Sequence, residues 1–128
     1  MPDAKRVLVV DDDDSIRVTL ADALADEGYH VVTATNGAEA LDQVAAGPPD
    51  AIVLDLMMPI LDGWGFLKAC RERNLCDGIP VLVMSAYRRL SDTTPELKVR
   101  ACIAKPFDLD VLLGAVDRLL RGPSLTAG

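Results

Sequence analysis

Aromatic residues, histidine and cysteine are scarce in this chain, and long apolar runs are missing. No run approaches the roughly 20 residues that a bilayer-spanning helix needs, and the first one, Val7 to Val10, is followed by four consecutive Asp residues. The sequence therefore predicts neither a transmembrane helix nor a secretory signal. Positive charge is in the minority: 13 Lys and Arg stand against 20 Asp and Glu, a formal net charge of -7. Such a chain as a whole repels a phosphate backbone, which argues against DNA or RNA as a direct ligand. The three cysteines, Cys70, Cys76 and Cys102, form no Cys-x-x-Cys pair and have no clustered histidines beside them. They are expected to be reduced thiols in a cytosol, with Cys70 a plain core residue. Internal repeats and low-complexity segments are also missing.

What is present is 128 residues that are 50% apolar, 26% charged and 4% aromatic, enough for one α/β-type domain with one core and one main site. Short apolar runs alternate with amphipathic stretches, the pattern of helices packed on a parallel sheet. Strands are predicted at Arg6 to Val10, His30 to Ala34, Ala51 to Leu54, Val81 to Met84 and Ala101 to Ala104, each too short and too β-branched for a buried helix. Ile16, Leu20 and Leu24 predict a first helix capped by Asp14 and ended by Gly28. Ala38, Leu41 and Ala45 predict a second, ended by Gly47-Pro48-Pro49. Trp64, Leu67 and Cys70 predict a third that starts at Asp62-Gly63. Leu109, Leu112, Leu113, Val116, Leu119 and Leu120 trace one face of a last helix, capped by Asp108 and ended by Gly122-Pro123. A short helix is predicted from Pro95 with Thr94 as its cap. The domain is expected over residues 1–122, with 123–128 a short disordered tail.

In an open parallel sheet, ligands bind beyond the carboxyl ends of the strands. Here those ends are followed by Asp11 and Asp12, by Asp55, by Ser85 and by Lys105-Pro106. Two carboxylates about 4 Å apart repel by roughly 4 kcal/mol at an effective dielectric of 20, so three that converge require a cation. With His30 the single histidine and no cysteine at a strand end, the donors are oxygen, which favours a hard divalent ion, magnesium, over zinc or copper. An anionic nucleophile, a metal, a lysine and a hydroxyl together suit phosphoryl transfer. Asp55 is the candidate nucleophile, and the product would be an aspartyl phosphate. Asp13 and Asp14 are read as helix-start residues, and Trp64, Met57, Met58 and Met84 as packing.

These residues resemble the receiver domain of two-component response regulators from Arg6 to Leu120. The combination that carries the resemblance is Val-Leu-Val-Val-Asp-Asp at 7 to 12, Leu-Asp-Leu-Met-Met-Pro at 54 to 59 with Asp62-Gly63, Ser-Ala at 85 to 86 and Lys-Pro-Phe at 105 to 107. The resemblance implies a flavodoxin-like, doubly wound α/β fold with a five-stranded parallel sheet of order 2-1-3-4-5 and helices on both faces. It makes Asp55 the phosphoacceptor, gives Mg2+ to Asp11, Asp12, Asp55 and the backbone carbonyl of Met57, and puts Ser85 and Lys105 on the phosphoryl group. It also implies a histidine kinase or histidine phosphotransferase as phosphodonor, an unknown downstream protein, no membrane, a cytoplasmic location, and no enzymatic activity beyond self-phosphorylation and autodephosphorylation. Two features depart from the family pattern, and the first is the stretch between Ser85 and Lys105, which is short and lacks the usual Ala-Gly step before the last strand. Second, Cys102 stands three residues before the lysine, where an aromatic residue is usual, and Tyr87 or the Arg88-Arg89 pair is the candidate replacement as signal carrier.

Other readings stay open on the residues alone. The chain could be a phosphorelay shuttle, or a receiver fragment of a larger regulator or hybrid kinase. A magnesium-dependent haloacid-dehalogenase-type phosphatase would place its nucleophile after the first strand, in the Asp11-x-Asp13 pattern, whereas the candidate here follows the third. A flavin binder of the same sheet order would need a Ser/Thr/Gly-rich phosphate loop where four aspartates stand.

Overall fold

A computed structural model of the chain describes residues 4–86 and 99–121. Tyr87, Arg88 and Arg89, the short helix expected from Pro95, the stop at Gly122-Pro123 and the tail at 123–128 all lie outside the described residues. The elements run β1 (Arg6–Val10), α1 (Asp14–Asp26), β2 (His30–Ala34), α2 (Gly37–Ala46), β3 (Ala51–Asp55), α3 (Gly63–Glu72), β4 (Val81–Ser85), β5 (Ala101–Ala104) and α4 (Leu109–Arg121). All strand pairings are parallel and the sheet order is β2-β1-β3-β4-β5. Strands β3 and β4 run one residue further than the apolar pattern predicts, because Asp55 pairs with Met84 and Ser85 with Ala104 in the ladders.

Alternation along the strands sends side chains to two cores. Leu8, Val10, Ile52, Leu54 and Val83 pack with Leu41, Phe66, Leu67 and Cys70 from α2 and α3. Val7, Val9, Val53, Leu82 and Met84 pack with Leu20, Leu24, Leu112 and Val116 from α1 and α4. Because helices cover both faces, β1, β3 and β4 read as continuous apolar runs.

Three expectations need correction. Asp13, not Asp14, caps α1: Asp11 Oδ1 accepts from the Asp13 N–H at 2.9 Å, which holds Asp13 extended so that its own Oδ1 takes the Ile16 N–H at 3.1 Å. The inward face of α2 is Gly37, Ala40, Leu41 and Val44, while Ala38 and Ala45 are exposed. The helix phase is set by Gly37, whose N–H donates to the Leu61 carbonyl at 2.8 Å and where a Cβ would lie 2.5 Å from that oxygen. Finally, Cys70 and Cys76 are joined as a disulfide, with Cα atoms 5.5 Å apart, and only Cys102 keeps its thiol. The cause is the end of α3. Asn74 takes a left-handed φ of 57° and the Leu75 N–H donates to the Cys70 carbonyl at 2.8 Å. This reversal returns the chain onto the helix's last buried turn, at a spacing the Cys-x-x-Cys pattern does not cover. Among the described residues, no helix is long and apolar enough to cross a membrane.

Candidate functional site

The carboxyl ends of β1, β3, β4 and β5 meet at one edge of the sheet. Asp11 leaves β1 with its N–H on the Ala34 carbonyl at 3.2 Å and its side chain fully buried. Asp55 ends β3, 3% exposed, and its Oδ1 accepts from the Met57 N–H at 3.2 Å. Asp12 is exposed beside them, and single oxygens of Asp11, Asp12 and Asp55 lie within 4.8 Å of one another. Ser85 is fully buried at the end of β4, and its carbonyl accepts from the Lys105 N–H at 2.8 Å. That bond sets the start of the Lys105 side chain, whose Nζ lies 2.8 Å from Asp11 Oδ2 and 3.4 Å from Asp55 Oδ2. The fold thus supplies a cation of its own to the carboxylates that the sequence places at these ends.

Burial pushes the Asp55 carboxyl above the usual carboxylate range; Lys105 pulls it down, and Asp11 adds to the rise. For Lys105, burial works against the ammonium, yet the hydrogen bond it donates to Asp11 and the attraction of both carboxylates hold its pKa above the ordinary value. One contributor went unnoticed in the sequence. Arg17, in the first turns of α1, donates from Nη1 to the Asp11 carbonyl at 2.9 Å and pairs with Asp14. The only signal would have been its place three residues after Asp14, an ordinary helix pairing.

The loop after β3 borders the carboxylates. Met58 and Trp64 pack on the core as expected, but the Met57 side chain is 54% exposed and so is not packing. Met57, Met58, Pro59, Asp62 and Trp64 line, with Asp12, an open cleft of about 390 Å³. Cys102 is half-buried in β5 against the α2/α3 core.

Fold and site together define a doubly wound α/β domain with an acidic site of three aspartates and a lysine at its strand ends. A model of the response regulator receiver domain matches residues 7–117, and the chain belongs to that family of two-component signalling domains. It is 44% identical over 119 residues to the response regulator MprA of Mycobacterium avium, covering 91% of this chain and 51% of that protein. The chain therefore spans about half the length of the curated relatives it matches. Among solved structures, it superposes on the chemotaxis protein CheY4 of Vibrio cholerae with a TM-score of 0.83 at 32% identity, covering 91% of this chain and 99% of that one. The response regulator TrrA of Thermotoga maritima, solved in complex with Mg(2+)-BeF, matches with a TM-score of 0.80 at 33% identity, over 91% of this chain and 99% of that one. The family match sets aside the phosphatase and flavin readings.

Proposed function

We propose that this receiver domain is a phosphorylation-dependent switch that takes a phosphoryl group onto Asp55 in a magnesium-dependent reaction and changes its protein-docking surface. The observation that carries the reading is a buried Asp55 carboxylate at a strand end, sharing one lysine with Asp11 and standing beside Asp12. The donor set fits Mg2+: three carboxylates with oxygens in mutual reach, one of them exposed, and no nitrogen or sulfur ligand among them. Asp11, Asp12, Asp55 and the Met57 carbonyl would hold the ion. When bound, it offsets negative charge on the transferring group.

In the transfer, an Asp55 oxygen forms a bond to phosphorus as the phosphorus–nitrogen bond of a phosphohistidine breaks, and the electron pair stays on the departing imidazole. Lys105 exchanges its hold on Asp11 for the phosphoryl oxygens, and the Ser85 hydroxyl donates to one of them. The donor is a histidine kinase or histidine phosphotransferase, in a cytoplasmic setting, and the output is a docking event with a downstream protein. Cys102 cannot make an aromatic swing, so Tyr87 or Arg88-Arg89 would carry the change. Tyr87→Ala is then expected to abolish the phosphorylation dependence of partner binding, and unchanged dependence would remove Tyr87 from the mechanism.

The deciding experiment is intact mass after incubation with a small acyl phosphate, with and without Mg2+, for the wild type and Asp55→Asn. A gain of one phosphoryl group that needs Mg2+ and is lost in the variant is expected. A gain that persists in Asp55→Asn would overturn the assignment.

A further inference from the structure

We propose that the Cys70–Cys76 disulfide is a reversible thiol-exchange site, opened by a small anionic thiol that attacks Cys76 from the cleft between Arg71 and Arg100. Its two halves are unequally placed. Cys70 is fully buried in the α2/α3 core, whereas Cys76 is half-buried and lines a cleft of about 290 Å³ together with Arg71, Asp77, Pro80 and Arg100. Among the described residues, the Cys76 side of the disulfide is the one open to an incoming nucleophile. Among the described residues, this cleft is lined by two guanidinium groups and one carboxylate in a chain of net charge -7, and each guanidinium presents five N–H donors, so one that already has a partner still offers donors to the carboxylates of an anionic thiol. Glutathione has the required chemistry, a thiol with two carboxylates.

The inference rests on the cytoplasmic setting proposed above for its supply of thiol. Disulfides in that compartment are mostly transient and redox-sensing rather than permanent. A thiolate sulfur bonds to Cys76 Sγ as the Cys70–Cys76 bond breaks, and the electron pair leaves on Cys70 Sγ, which takes up a proton. A second thiolate attacks the mixed disulfide, releasing the Cys76 thiolate and the disulfide of the small thiol. The protein disulfide gains two electrons and two small thiols lose them. Once released, the Cys70 thiol stays where it is as a small apolar core residue. What changes is the connection from α3 to β4, which loses its staple. This connection lies at the opposite end of β4 from Ser85, so exchange does not compete with chemistry at Asp55.

The test uses the whole chain, oxidised, without metal or phosphodonor, so that failure at Asp55 and failure here are read separately. Alkylation in denaturant followed by mass measurement counts thiols. One labelled cysteine, Cys102, is expected before reduction, then a transient glutathione adduct mapped to Cys76, then three thiols. Arg71→Gln combined with Arg100→Gln is expected to slow glutathione by about threefold or more and to leave the rate with uncharged 2-mercaptoethanol unchanged. Reduction should also lower the melting temperature by about 5–10 °C, a response that Cys76→Ser abolishes. Three labelled thiols after air oxidation would overturn the proposal. So would resistance to millimolar glutathione, an adduct on Cys70, or an equal slowing with both thiols.

Discussion

Asp11, Asp55 and Lys105 divide one problem among them, since two buried carboxylates share a single ammonium. Removing Lys105 leaves Asp11 buried and without its cation, and a broken buried pair is costly. Lys105→Ala is therefore expected to lower stability by about 2–4 kcal/mol at neutral pH, measured by urea denaturation without metal. Asp55 behaves in the opposite sense. Its folded pKa is raised above the ordinary 3.8, chiefly by burial, so the native state holds that proton more tightly than the unfolded chain does. The stabilisation linked to this group is fully present below the ordinary value and is lost as pH rises through the raised one. Asp55→Asn should consequently melt a few degrees above the wild type at pH 7 without Mg2+, and the difference should shrink as pH falls toward 4. A melting series over that range checks it, and a difference that grows on acidification would refute the burial argument. At this scale the sequence was informative because strand ends are marked by the abrupt change from apolar to polar. Arg17 was not legible, since its contact with Asp11 is to a backbone carbonyl and no residue pattern encodes that.

The loop that joins β3 to α3 concentrates backbone restraint beside the carboxylates. Ile60 has a φ of 69° and is 83% exposed, a left-handed conformation that a β-branched residue adopts at a cost and Asn tolerates. Ile60→Asn is expected to raise stability by about 1 kcal/mol, read by urea denaturation, with no loss of core packing to offset it. Gly63 is restrained in another way. A Cβ there would lie 2.7 Å from the Asp55 carbonyl oxygen and 2.7 Å from the Leu56 Cα, both backbone atoms that cannot swing aside. Gly63→Ala should cost about 1–3 kcal/mol and, by displacing the end of β3, weaken acquisition of a phosphoryl group at Asp55. Normal stability in that variant would show that the loop yields more easily than its contacts imply. Elements were legible where apolar spacing is strict, as in α1 and α4. In α2, alanines on both faces carry no phase information, and the inward side is settled by the contact of Gly37 with Leu61. The disulfide was missed because helix termination, rather than cysteine spacing, brings residues 70 and 76 together.

For the whole molecule, five alternating apolar runs imply a parallel sheet with covered faces, but they do not fix which strand lies beside which; the strand order came from resemblance to a family. The sheet order then decides where the charge goes. With β1 and β3 adjacent, Asp11, Asp12 and Asp55 are forced to one edge of a chain that already carries a net charge of -7. Anything that binds this edge in the native state and not in the unfolded chain stabilises the fold by mass action. Mg2+ at ten times its dissociation constant is expected to add about 1.4 kcal/mol, a rise of several degrees in melting temperature that EDTA reverses. Bulk screening of the net charge would also raise stability, so an NaCl control of equal ionic strength is needed. Asp12 separates the two effects. It is exposed and contributes to the carboxylate cluster without being part of the buried pair with Lys105, so Asp12→Asn should leave the metal-free protein nearly unchanged while reducing the Mg2+ shift to that of NaCl. Trp64, the sole tryptophan, lines the same cleft as Asp12, and its emission offers an independent titration. If Asp12→Asn kept the full Mg2+ shift and the fluorescence change, the ion would be acting on the charge of the molecule as a whole and not at these strand ends.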